Sequence, residues 1–139
     1  MPERKYSREF IKNAEDELGL KAFEVQPKHK GLSKTAVQED LQGCVYPSVT
    51  KWLRAFVDAD FVITDSFHGC VFSIIFNKPF VAIGNKGRGL ARFESLLKMF
   101  GLEDRLNSSQ LTTEIDWESV NGKLNSYREI SKNFILGNL

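Results

Sequence analysis

Six consecutive residues, Thr64-Asp65-Ser66-Phe67-His68-Gly69, put two hydroxyls, a carboxylate and an imidazole directly behind the apolar run Phe61-Val62-Ile63. Histidine is the side chain that titrates nearest neutrality, so His68 is the natural candidate to give or take a proton in a reaction. Ser66 is a favoured residue for opening a helix, and the free N–H groups and positive dipole end of a helix start can hold an anion. Gly69 would let a ligand come close to the backbone. As a bare pattern, Ser-x-His more often records a helix cap with a histidine hydrogen-bonded at its edge. What points toward a site is its place at a strand end, where ligands of open parallel sheets bind.

A second segment has a composition suited to anions. Gly84-Asn85-Lys86-Gly87-Arg88-Gly89-Leu90-Ala91-Arg92 combines three cations with three glycines. Guanidinium groups such as those of Arg88 and Arg92, with the Asn85 amide and bare backbone, suit phosphate or carboxylate. The alternative is a solvated loop with Arg92 on an exposed helix face. The remaining polar candidates are weaker. His29 sits between lysines in a polar stretch, as surface residues do, and two histidines with two scattered cysteines make no zinc pattern. Asp65 reads as a turn former, with orientation of His68 or metal binding as the other options.

The elements that position these segments follow from hydrophobic spacing. Residues 7–18 place Phe10, Ile11, Ala14 and Leu18 on one helical face, with Gly19 as the stop. Residues 20–26, ended by Pro27, predict a short strand. Residues 28–47 carry no sustained period and read as a loop with one short helix. Ser48 is placed to cap a helix carrying Val49, Trp52, Leu53, Phe56 and Val57.

Two β-rich runs, residues 61–63 and 79–83, flank an apolar stretch, and parallel strands need a crossover, so residues 66–77 predict a buried helix. Leu90, Phe93, Leu96, Leu97 and Phe100 mark another helix stopped by Gly101. Asp116 is placed to cap a last one, with Trp117, Val120, Leu124, Tyr127, Ile130 and Phe134 on a shared face. Strands alternating with helices predict an α/β fold: a Rossmann-like parallel sheet with helices on both faces.

Composition bounds the reading. A chain of 139 residues fits one domain and can bury a real core. Nineteen basic against eighteen acidic residues give +1, far from the footprint of a general nucleic-acid binder. The first ten residues lack the apolar core of a signal peptide, no run is long enough to span a bilayer, and Cys44 and Cys70 read as reduced thiols. A cytoplasmic location, with peripheral association at the inner membrane face as an option, is the expectation.

Taken together, residues 59–69 (Ala-Asp-Phe-Val-Ile-Thr-Asp-Ser-Phe-His-Gly), Phe76-Asn77-Lys78-Pro79-Phe80, Arg88, Arg92-Phe93 and Leu96-Leu97 resemble the polysaccharide pyruvyl transferase family. The resemblance is strongest from Asp58 to Arg105. It implies the C-terminal half of a glycosyltransferase B-type fold: residues 1–139 form one α/β domain of a larger two-domain enzyme whose N-terminal half supplies much of the acceptor site. It further implies transfer of a pyruvyl group from phosphoenolpyruvate to a sugar or lipid-linked saccharide, forming a pyruvate ketal in exopolysaccharide biosynthesis. No cofactor and no metal are implied.

In the family a Ser-x-x-x-His or Ser-x-His segment at the strand-to-helix turn carries the proposed catalytic histidine, the place held here by His68. Some members have a different residue before the histidine and an arginine beside it, which this segment lacks. Ser66, Gly69, Asn85, Arg88 and Arg92 are the expected substrate-binding residues. The competing readings are the nucleotide-sugar-binding half of a glycosyltransferase, since that fold would hold a diphosphate at the same turn, and a non-catalytic module of a polysaccharide-assembly complex.

Overall fold

The computed structural model describes residues 8–27, 35, 38, 41–84 and 89–137. The chain divides into two compact units, Met1–Ala59 and Asp60–Leu139.

In the first unit, helix α1 spans Arg8–Leu18 and buries Ala14. It stops because Gly19 takes φ +64°, a conformation glycine adopts at no steric cost, and this lets the Leu20 N–H reach back to the Glu15 carbonyl at 3.2 Å. Helix α2 spans Val49–Asp58, with the Ser48 hydroxyl accepting from the Lys51 N–H at 3.3 Å as its cap. Trp52 and Phe56, one turn apart, meet edge to face with centroids 4.9 Å apart.

The strand expected over residues 20–26 is not formed; the segment is irregular, and Phe23 is 66% exposed. A strand exists only through pairing, and a short apolar run without a ladder partner stays coil whatever its propensity. Of the stretch 28–47, the structure describes helical backbone at Thr35 and Gln38 and a 3₁₀ turn over Gln42–Cys44. His29 lies outside the described residues.

The second unit holds strand β1 (Val62–Thr64), helix α3 (Phe67–Ile75), strand β2 (Phe80–Ala82), helix α4 (Leu90–Phe100), a 3₁₀ turn (Glu103–Arg105) and helix α5 (Trp117–Gly137). β1 and β2 pair in parallel, with Val62 opposite Phe80, Ile63 opposite Val81 and Thr64 opposite Ala82. The crossover α3 is the helix the spacing predicts, buried at Gly69, Cys70, Ser73 and Ile74 but exposed at His68 and Ile75. An isolated parallel bridge from Ala82 to Leu106 extends the pairing by one position. The result is a mixed α/β fold around a two-stranded parallel sheet, and the Rossmann-like expectation is met only to that extent. β2 is buried at every residue, whereas Val62 and Ile63 of β1 are half-buried and not fully covered.

Cys70 and Ile74 of α3, Phe80 and Ala82 of β2, Phe93, Leu97 and Phe100 of α4, with Leu102 and Val120, form the core. Helix ends here follow local chemistry. Asn77 (φ 53°) and Gly101 (φ 72°) adopt the left-handed conformation that ends α3 and α4. The N–H groups of Lys78 and Leu102 then return to the carbonyls of Ser73 (2.8 Å) and Leu97 (2.9 Å). The Lys123 ammonium donates to the Phe100 carbonyl at 3.0 Å, placing a cation at the negative end of α4.

Asp116 caps α5, accepting from the Ser119 N–H at 3.0 Å. Only part of the expected α5 face is buried. Val120 is 3% exposed and Tyr127 meets Phe100 at 5.9 Å, but Ile130 and Phe134 are 64% and 71% exposed. At about 1.5 Å per residue, a helix of this length spans roughly 30 Å and outruns the core that its first turns cover.

Candidate active site

The first turn is shaped by Thr64, which closes β1 and is buried. Its Oγ1 accepts from the Ser66 N–H at 3.1 Å, turning the chain out of the sheet. Ser66 stays extended (φ −106°, ψ 131°) and its hydroxyl accepts from the Gly69 N–H at 3.4 Å, a long capping bond. The N–H groups of Phe67 and His68 belong to the opening turn, where a helix offers no carbonyl of its own.

Gly69 is buried, and a side chain there would collide with Thr64: an added Cβ would sit 2.9 Å from the Thr64 Cβ and closer still to its Oγ1. The space freed by its missing side chain is thus occupied by the strand end. His68 is exposed, its ring edge to face with Phe67 at 5.9 Å and 86°. Asp65 is exposed as well.

The second turn is described at its two ends. Gly84 follows β2, and its N–H donates to the Asn107 Oδ1 at 2.9 Å. Gly89, at φ 77°, opens α4, and the Arg92 N–H donates to its carbonyl at 3.0 Å. Arg92 is exposed, and its guanidinium lies over the helix start, where a Cβ on Gly89 would be 3.1 Å from the Arg92 Nε. Asn85 and Arg88 lie outside the described residues.

The parallel register fixes how these turns relate. Thr64 and Ala82 are opposite each other at the carboxyl ends of β1 and β2, so both turns leave from the same edge of the sheet. Phe67 and Phe93, which follow Ser66 and Arg92, meet edge to face with centroids 6.4 Å apart. The starts of α3 and α4 are therefore neighbours, with an exposed imidazole on one and an exposed guanidinium on the other. That combination can accept an anion and move a proton beside it.

Cys70 is fully buried in the core, and desolvation pushes its thiol up to about 12, which leaves it inert as a nucleophile. Among the described residues no three of His, Cys, Asp and Glu gather as a metal site would require.

Asn107, which clasps the Gly84 N–H, was not singled out by sequence reasoning, nor was Thr64 as the hinge of the first turn, and away from the site Arg105 was missed as well. Arg105 is 5% exposed, and its guanidinium donates to the carbonyls of Thr112 (2.6 Å) and Glu114. Its Nε lies 3.3 Å from the Asp104 carboxylate but makes no well-formed hydrogen bond. This buried charge ties down the segment leading to α5. The available signal was the turn-forming run Asn107-Ser108-Ser109 after Leu106.

No helix among the described residues is long and apolar enough to cross a membrane. No curated protein and no solved structure matches the chain. A family model described as polysaccharide pyruvyl transferase matches residues 2–87, ending within the second turn and leaving Arg88 and Arg92 beyond it. Since the match spans more than half of the 139 residues and takes in β1, the whole Ser66–Gly69 turn and β2, the chain belongs to the polysaccharide pyruvyl transferase family.

Proposed function

We propose that this chain is the donor-binding half of a pyruvyl transferase that uses phosphoenolpyruvate, with His68 as its general acid or base. The observation that carries the reading is the shared sheet edge: two turns leave in-register parallel strands, and Phe67 and Phe93 pack their helix starts together. The donor carries a carboxylate and a phosphate. One is held by the opening turn of α3 at Ser66 and the other by Arg92, with Asn85 and Arg88 of the same turn assigned from the sequence.

In the reaction an acceptor hydroxyl bonds to C2 of the donor while C3 takes up a proton. Phosphate leaves C2, and a second hydroxyl closes the ketal with loss of its own proton. His68, exposed at the helix start, can supply the first proton and receive one from a hydroxyl. The cationic turn offsets the charge that builds on the departing phosphate. The acceptor is a saccharide of a cell-surface polysaccharide, bound largely by an N-terminal half, so residues 1–139 alone do not transfer pyruvate.

Soaking crystals of the chain in phosphoenolpyruvate tests this reading. Donor density between Ser66 and Arg92 is expected. Density for a nucleotide sugar but none for phosphoenolpyruvate in parallel soaks would overturn it in favour of a glycosyltransferase.

A further inference from the structure

Asn107 follows the Leu106 bridge and touches both the last residue of β2 and the first residue of the second turn. Its N–H donates to the Ala82 carbonyl at 2.7 Å, and its carboxamide oxygen accepts from the Gly84 N–H at 2.9 Å. It does so at φ 54°, a left-handed conformation that asparagine tolerates better than most residues. Gly84 is closely surrounded. A Cβ there would fall 3.0 Å from the Leu106 Cδ1 and nearer still to the Leu90 Cδ1, so the two ends of the turn meet at this glycine.

We infer that Asn107 is a positioning residue that fixes Gly84, and through Leu90 the start of α4 that bears Arg92, in the form that receives the anionic donor; this rests on the site reading given above. The Gly84 N–H is occupied by Asn107 and is not a ligand for the donor, so Asn107 acts through geometry. Its neutrality fits the role. An aspartate would accept the same hydrogen bond but would add a negative charge at the sheet edge where the anionic donor is to bind.

Titration of the 139-residue chain with phosphoenolpyruvate, followed through the amide signals of Gly89 and Arg92, tests the inference with two variants. Asn107→Gly keeps the left-handed backbone and loses the acceptor. It should fold, and its dissociation constant should rise about five-fold, the equivalent of one hydrogen bond. Asn107→Asp should restore the wild-type Gly84 amide signal yet bind the donor more weakly than wild type, with the penalty shrinking as salt is added. Wild-type affinity in folded Asn107→Gly would overturn the inference, as would an Asn107→Asp penalty insensitive to salt. A wild-type chain that binds no phosphoenolpyruvate would overturn the site reading itself and this inference with it. That outcome is distinct from a wild type that binds and an Asn107→Gly variant that binds equally well.

Discussion

The rings of Phe67 and Phe93 meet edge to face, with centroids 6.4 Å apart and planes at 81°. One ring belongs to the first residue of α3 and the other to the first turn of α4, so this contact joins the two helix starts beside the sheet edge. Phe93 is buried while Phe67 is half-buried, so the pair also closes one end of the core. A double-mutant cycle with Phe67→Leu and Phe93→Leu, read by urea unfolding, should give a coupling of about 0.5–1.5 kcal/mol, as edge-to-face pairs do. Strictly additive effects would mean the rings do not hold the two turns together.

Gly69 and Thr64 make a tighter pair. A methyl group on Gly69 has nowhere to go, because the Thr64 side chain already fills its position. Gly69→Ala should therefore destabilise the fold by about 1–3 kcal/mol, the usual cost of overpacking. Adding Thr64→Ala opens part of that space, so the double variant should be more stable than the sum of the two single effects. Thermal unfolding of the three variants checks this, and a Gly69→Ala protein with wild-type stability would contradict the close approach.

Burial of Cys70 predicts an alkaline dependence of stability. Its thiol is shifted from an ordinary value of 9.0 to about 12 by desolvation. Below the ordinary value the thiol is protonated in both folded and unfolded chains, and its contribution is fully present. Between the two values the unfolded chain gives up the proton while the folded chain keeps it. Unfolding then releases a proton, and stability falls with rising pH by at most about 1.4 kcal/mol per unit. Urea unfolding at pH 8 and pH 10.5 should show a larger loss for the wild type than for Cys70→Ala. An equal loss in both would place the alkaline sensitivity elsewhere.

Most helix boundaries were legible because their signals are local. Ser48, Ser66 and Asp116 each cap the helix that follows, and Gly19 and Gly101 each stop one. The runs at 61–63 and 79–83 shared a β-rich composition, and the crossover between them followed from chain geometry. Residues 20–26 were misread because β-propensity says nothing about whether a partner strand exists.

The exposure of Ile130 and Phe134 was hidden for a similar reason, since periodicity gives a helix its face but not the length of core beneath it. Within the site, Ser66 and His68 stood out by residue type. Asn107 did not, because its work is done through a contact with Gly84 across 23 positions of sequence, and Thr64 was read only as a hydroxyl in the turn, not as the group that fills the space at Gly69.

The central claim is that His68 performs the proton transfer, and turnover of the complete enzyme with His68→Ala, measured as ketal formation from phosphoenolpyruvate alongside thermal stability, tests it most directly. His68 is exposed and carries no core packing, so the variant should keep the wild-type melting temperature while turnover falls roughly 10²- to 10⁴-fold. A His68→Ala enzyme that turns over normally per folded molecule but melts at a lower temperature would contradict the account and leave His68 a structural residue.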